Sequence, residues 1–267
     1  MNMSRIIKDA LKYPFSDWKK ILILGFVILV SDLTLIFYNI SHITNNEILI
    51  PFIGFLILFF VVGYEFRIIK SSLNGVDELP KFNAWAVMFK EGIKNYIVHF
   101  VYLIPVFLII LFYLGITNFL LDLIRDPSTI SLFLIYLKEI IIAIVNVNVF
   151  TSHLNGWIQL LVIMIYLVIA IPLQFMGIAN MAKNDSKLRY AFNFREIFHT
   201  ITNNGLKNLI ILYIAILLPF SILLLLKQIL YLGTIYPSPE FIILVLIGSS
   251  YSAMYLYRLV ALFYLSK

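Results

Sequence analysis

The chain contains no cysteine, and its 20 basic and 14 acidic residues make up only 13% of 267 positions. Without thiols there can be no disulfide, no thiolate zinc site and no iron–sulfur cluster. Its histidines, His42, His99, His153 and His199, are scattered singly and read as interfacial or solvated side chains. No metal site and no cofactor is therefore expected. The motifs of enzyme chemistry are missing as well: there is no HExxH, no Gly-rich phosphate loop and no paired-carboxylate motif. The Gly248 to Ala253 run holds serines, but no histidine lies near it in sequence, so it reads as a small-residue packing face. An enzyme is the least expected class. Residues 1–20 lack a short apolar core followed by a small-residue cleavage site, so no cleaved signal peptide is expected.

What the chain has in excess is apolar surface. Hydrophobic residues make up 62% of it, and the mean hydropathy is +0.97. A soluble core of this size cannot hide so much, so lipid is the expected solvent. Six segments are long enough to cross roughly 30 Å of hydrocarbon at about 1.5 Å per residue: Ile21 to Ile40, Ile48 to Ile69, Tyr96 to Leu121, Leu160 to Ala182, Leu206 to Leu230 and Phe241 to Leu265. None alternates with period two, so helices rather than barrel strands are expected. The expected fold is all-α: a single polytopic membrane domain over 1–267 with six transmembrane helices and additional amphipathic interfacial helices.

The net charge of +6 is not a nucleic-acid signal, because the bases sit in short connections between apolar runs. Arg5, Lys8, Lys12, Lys19 and Lys20 precede the first span. Arg67, at the end of the second, and Lys70, Lys81, Lys90 and Lys94 mark the second connection, and Lys183, Lys187, Arg189, Arg195 and Lys207 the fourth. The alternate connections are nearly bare: Ser41 to Glu47 and Gly233 to Glu240 carry no Lys or Arg, and the long third one holds only Arg125 and Lys138. The positive-inside rule then places both termini in the cytoplasm of a multi-pass cell-membrane protein. Residues 130–150 are apolar enough to resemble a seventh span. A crossing there would invert every later segment and bury Lys138 and Glu139, at about 2.5–3.5 kcal/mol each. An outer-leaflet interfacial or re-entrant helix is expected instead, with Leu132, Phe133, Tyr136, Leu137, Ile140, Ile141 and Ile144 on its apolar face.

Gly92-Ile93-Lys94-Asn95 and Gly205-Leu206-Lys207-Asn208 are one element used twice, each opening an apolar span that contains a proline, Pro105 or Pro219. Both copies start on the same side, so the expected duplication is parallel. Before each lies an amphipathic stretch. Phe194, Ile197, Phe198, Ile201 and Gly205 recur at helical spacing within 193–205, with Asn193, Arg195, Glu196, Thr200 and Asn204 opposite; Phe82, Trp85, Phe89, Ile93 and Tyr96 match them. Ile7, Leu11, Phe15 and Trp18 form a third stripe, with Pro14 as a break. Three interfacial helices, within 1–20, at the start of 82–121 and at 193–205, would feed spans one, three and five and form a basic cytoplasmic collar.

Specific residues carry a family resemblance. Ala10-Leu11-Lys12-Tyr13-Pro14-Phe15, Asp17, Trp18-Lys19-Lys20 and Gly25 form one block. Gly63-Tyr64, Arg67, Gly75, Glu78-Leu79-Pro80, Phe82, Trp85, Phe89 and Gly92 form a second, and Arg189-Tyr190-Ala191 precedes Phe194. In these the chain resembles an archaeal polytopic membrane family known as domain of unknown function 4013. The resemblance implies residence in the cytoplasmic membrane and implies no activity.

Asp32, Glu65 and Arg258, ionisable residues inside spans, are the candidate binding residues. Glu65 and Arg258 are shallow enough to snorkel or to pair with each other, and Glu65 can also reach Arg67 or Lys70. Asp32 is too deep for that escape. It is either a neutral, hydrogen-bonded packing residue or a group that handles a proton or cation. Pro51, Pro105, Pro172 and Pro219 punctuate four spans, and Gln159, Gln174 and Asn180 add polarity to the fourth. Two functions fit. One is a non-enzymatic scaffold whose basic collar recruits membrane lipids or a protein partner at the cytoplasmic face. The other is a small-solute permease with its site at the seam of two parallel halves, for which spans three and five share little matched polar chemistry. The oligomeric state is open.

Overall fold

The computed structural model describes residues 3–40, 49–111, 164, 166–231 and 238–266, and every regular element among them is helical. The interfacial or re-entrant helix expected at 130–150 lies outside the described residues, as do 112–163 generally and the connections 41–48 and 232–237. The chain forms two compact units, one of Met1–Val98 with Leu173–Lys267 and the other of His99–Pro172. The helices are α1 (Met3–Lys12), α2 (Trp18–Ile40), α3 (Leu49–Leu73), α4 (Trp85–Leu111), α5 (Ile171–Lys183), α6 (Phe194–Asn204), α7 (Leu206–Tyr231) and α8 (Pro239–Leu265). Single π-helical turns precede α5, at Tyr166–Ala170, and interrupt α8, at Leu244–Ser249. Among the described residues, three helices are long and apolar enough to cross a membrane: Phe52–Leu73, Lys207–Leu230 and Pro239–Leu265.

Within the first unit α8 is the central element. From Ser252 to Tyr264 every side chain is buried, which is what a helix apolar on all sides requires. It packs on α3, α1 and α2, and α2 packs in turn on α3. The Gly248 to Ala253 run lies at this core, with Ser250 and Ala253 buried. Helix α7 is the opposite case. Leu218, Leu224, Leu225 and Ile229 stand about three-fifths exposed, so most of its surface faces outward.

The two copies of the Gly-X-Lys-Asn element differ in conformation. Helix α4 runs without a break from Trp85 through Gly92 and Pro105 to Leu111, so no separate interfacial helix precedes it. Gly92 serves close packing: a Cβ there would overlap the Phe59 carbonyl of α3, and one at Gly63 would overlap the Met88 carbonyl of α4. At the second copy the helix ends. Gly205 has φ +76° and ψ 151°, a region open essentially to glycine alone, and it separates α6 from α7.

The amphipathic helices bury only part of the apolar stripes expected for them. In α6 the buried residues are Ile197, Thr200 and Asn204, while Phe194 and Phe198 are about half exposed. In α1 the buried face is Met3, Ile6 and Ala10, followed by Tyr13, whereas Leu11, Phe15 and Trp18 of the apolar stripe point outward. The cause lies in what each helix packs on. Backbone carbonyls and polar side chains of the core end accept or donate hydrogen bonds, and they draw in the polar side of α6. Pro14 ends α1 as expected, giving a tight 3-10 turn over Tyr13–Ser16.

Candidate functional site

The connection between α3 and α4, residues 74–84, holds no regular secondary structure of its own, and its carbonyls need donors. Side chains from four directions supply them. Tyr13 Oη donates to Glu78 O at 3.2 Å, Lys20 Nζ to Leu79 O at 2.7 Å and Tyr64 Oη to Pro80 O at 3.0 Å. Arg67 reaches Asn83 O at 2.6 Å and Ala84 O at 3.0 Å, and Arg258 reaches Val76 O at 2.9 Å. Phe82 then stacks flat on the Tyr64 ring, 3.9 Å between centroids, and Trp85 packs on Phe60. Tyr13, Lys20, Tyr64, Arg67 and Phe82, all among the residues that carry the family resemblance, thus converge on one loop. Burial raises the Tyr13 hydroxyl above the usual tyrosine value, against the opposing pull of Ser71, Ser72 and Arg258, so Tyr13 stays a donor.

Arg258 is the hub of this clamp. Its guanidinium is buried and bonds Asp9 Oδ1 of α1 at 3.0 Å and Asp77 Oδ1 of the loop at 2.5 Å, while lying 4.8 Å from the centre of the Tyr13 ring. One arginine therefore ties the first helix, the loop and the last helix together, with the planar fork used on two carboxylates and a carbonyl. Beside it, Arg67 bonds Glu91 Oε2 at 3.2 Å, and Lys70 lies 3.6 Å from the other Glu91 oxygen. Lys70 and Lys94 both donate to Ser186, to its hydroxyl and its carbonyl, and so fix the turn after α5. Asp17 caps α2, accepting from the Lys19 and Lys20 amides at 3.0 and 3.3 Å. Slight burial works to raise its pKa, but the hydrogen bonds and charge of Lys20 outweigh that and hold the carboxyl below the usual aspartate value.

A second polar centre lies between α5, α6 and α8. Asn180 is fully buried, donating to Tyr190 O and Glu196 Oε2 at 3.0 Å each and accepting from Tyr264 Oη at 2.9 Å. Asn204 continues it, with Nδ2 on Thr200 O at 2.9 Å and Oδ1 accepting from Ser266 at 2.7 Å. These contacts satisfy the polar face of α6 against the protein and leave its phenylalanines outside.

The candidate residues Asp32, Glu65 and Arg258 do not meet in one site. Asp32 of α2 pairs with Lys227 of α7, Nζ to Oδ2 at 3.0 Å, with about 30% and 24% of the two side chains exposed. Leu33, next to Asp32 in sequence, and Leu230, three positions after Lys227, pack on the Leu29, Phe241 and Val245 cluster. Glu65 pairs neither with Arg258 nor with Arg67 or Lys70. It shares a hydrogen bond with the Tyr257 hydroxyl of α8. The bases expected for it are taken by Glu91 and, for Arg258, by Asp9 and Asp77.

Compared with known families, residues 47–232 match a family described as a protein of unknown function, DUF4013. The chain belongs to the DUF4013 family. No curated protein and no solved structure matches it. The DUF4013 match takes in Tyr64, Arg67, the 74–84 loop, Gly92, and Asn180 with its partners Tyr190 and Glu196, but not Tyr264. It begins after Tyr13, Lys20 and Asp32 and ends before Arg258.

Sequence reasoning misses Lys227 of this DUF4013 chain and reads Asn180 only as added polarity in the fourth span. Lys227 follows Leu223-Leu224-Leu225-Leu226 directly and disappears into the apolar run. A lone lysine in one span and a lone aspartate in another are nonetheless the signal, since each is costly unless paired. Asn180 reads as an ordinary polar residue near a helix end. Only its neighbours, distant in sequence, make it a centre.

Proposed function

We propose that the chain is a non-enzymatic integral membrane protein, a scaffold that recruits lipids or a protein partner at a basic cytoplasmic collar. It crosses the membrane six times, with both termini cytoplasmic and two halves built as a parallel duplication. It uses no cofactor and binds no nucleic acid. The observation that carries this reading is the fate of the candidate ionisable residues. Asp32, Glu65 and Arg258 are each engaged by another protein side chain, at three separate places, so none is left to compose a common solute site. The six spans and their orientation are supported by the Lys/Arg asymmetry of the connections and by α2, α3, α4, α5, α7 and α8, which fall on the six apolar segments. The duplication is supported by the twin Gly-X-Lys-Asn element and by Pro105 and Pro219 inside α4 and α7.

Mild crosslinking in native membranes, followed by purification and mass spectrometry of co-purifying proteins and lipids, tests the reading. A stoichiometric partner or a retained lipid class supports it. Neither, together with thermal stabilisation by a solute, overturns it. A permease is the second reading, and the partly exposed Asp32–Lys227 pair favours it. Under that reading Asp32→Asn abolishes solute flux in proteoliposomes at unchanged expression, and unaltered flux removes it.

A further inference from the structure

The first unit sorts its charges by direction. Residues 1–20 contain two acids and five bases, and both acids are used internally: Asp9 on Arg258, and Asp17 on the start of α2. Of the bases, Lys20 is held by Asp17 and Leu79 O. Arg5, Lys8, Lys12 and Lys19 remain exposed, and among the described residues none forms an ion pair with an acid. Arg5, Lys8 and Lys12 recur at helical spacing on α1, next in the helical order to Ile7 and the exposed Leu11, and Lys19 follows the 3-10 turn that carries Phe15, beside Trp18. Phe15 contacts Trp18 and Tyr251 with ring centroids 5.5 and 5.2 Å apart, and Tyr251 donates to Leu11 O at 2.8 Å, so the aromatic patch is fixed in place. The apolar stripe does not stop at Trp18. It runs on into Leu22, Ile23 and Phe26 of α2, all exposed.

We infer that this face of α1 and the following turn is a docking surface for the anionic headgroups of the surrounding bilayer. The inference rests on the proposed membrane reading and names the ligand of its collar. Continuity with the exposed side of a span puts Leu11, Phe15 and Trp18 at the level where a bilayer passes from acyl chains to headgroups, and aromatic rings favour that level. The adjacent cations then face the headgroup layer, where unneutralised Lys and Arg attract negative lipids. The same sorting recurs in α6, where Glu196 is drawn inward by Asn180 while Phe194, Arg195 and Phe198 stay exposed. A water-facing surface would strand Phe15 and Trp18, each just over half exposed, in solvent.

The absence of cysteine makes the test direct, because a single introduced thiol can be labelled in the full-length chain. Leu11→Cys carries a fluorophore in phosphatidylcholine bilayers doped with an equal fraction of nitroxide-labelled phosphatidylglycerol or nitroxide-labelled phosphatidylcholine. Quenching by the anionic lipid is expected to exceed that by the zwitterionic one about fivefold or more. The excess is expected to vanish in the variant carrying Arg5→Gln, Lys8→Gln, Lys12→Gln and Lys19→Gln, and to survive in one carrying Lys8→Arg, Lys12→Arg and Lys19→Arg. Equal quenching by the two lipids overturns the inference, as does quenching only by aqueous iodide. A second label at Phe26→Cys keeps the two levels apart: quenching there by the zwitterionic lipid upholds the membrane reading even when the α1 result fails, and its absence refutes that reading itself.

Discussion

Replacing Gly92 with alanine sets two physical effects against each other. The residue lies inside α4, where intrinsic helix propensity favours alanine by about 1 kcal/mol. Packing demands the opposite sign. A Cβ at Gly92 would stand 2.8 Å from the Phe59 carbonyl carbon, closer still to its oxygen, and 3.1 Å from the Gly63 amide nitrogen. Carbon atoms pack best at about 3.5–4.0 Å, so α3 and α4 must part by about 1 Å. Because the obstacle is main chain, no rotamer change relieves it. Parting opens the ring contacts Phe55–Tyr96, Phe59–Phe89, Phe59–Tyr96, Phe60–Trp85 and Phe60–Phe89, whose centroids now lie 5.1–5.8 Å apart. Such pairs contribute about 0.5–1.5 kcal/mol each beyond their area, and a gap of this size forfeits about half. The ladder therefore loses about 2–3 kcal/mol, which exceeds the propensity gain. Gly92→Ala is expected to destabilise by about 1–2 kcal/mol, within the usual range for overpacking. Reversible unfolding of the purified protein in mild detergent by titration with dodecyl sulfate, followed by circular dichroism, measures this. Stability equal to or above the parent would refute the packing argument. So would rescue by Phe59→Ala, since trimming that side chain leaves the carbonyl where it is.

Gly205→Ala is expected to cost about 1–3 kcal/mol for a different reason, backbone strain in open space, and Gly205→Asn is expected to do no better; full stability of the asparagine variant counts against that assignment. At the clamp, Arg258→Met is expected to lose about 2–3 kcal/mol with its charge-assisted hydrogen bonds, whereas Asp77→Asn, at a side chain 84% exposed, costs at most about 1 kcal/mol. Equal losses in the two unfolding titrations would mean that the bond to Asp77, rather than the arginine hub, holds the loop. Asp17→Ala removes the cap of α2 and is expected to cost about 1 kcal/mol, with Asp17→Asn nearly neutral. The folded-state pKa of Asp17 lies below its unfolded value, so its contribution is complete above the unfolded value and fades as pH falls through the folded one. Acid titration of Asp17→Asn against the parent reads this out, and parallel acid profiles refute it.

Helix class, apolar segments and the stop at Pro14 are local properties, and composition and spacing suffice for them. Residue periodicity also identified the stripes Ile7, Leu11, Phe15, Trp18 and Phe194, Ile197, Phe198, Ile201 as amphipathic. It could not say how much of each face turns inward, because periodicity defines the two faces of α6 and not their surroundings, and the choice is made by what waits on the other side, Asn180, Tyr264 and the Phe263 carbonyl. Similarly, the matching elements at Gly92 and Gly205 conceal a helix crossing in one place and a positive-φ break in the other.

From the sequence alone follow the lipid-compatible composition, the positions of the long helices and the asymmetry of basic connections, since each depends on residues adjacent in the chain. The partners of Asp32, Glu65 and Arg258 were decided only by the tertiary structure. Lys227 lies 195 positions from Asp32 and Asp9 lies 249 from Arg258. A charge inside an apolar helix must find a counterpart, but which one it finds depends on which helices cross beside it.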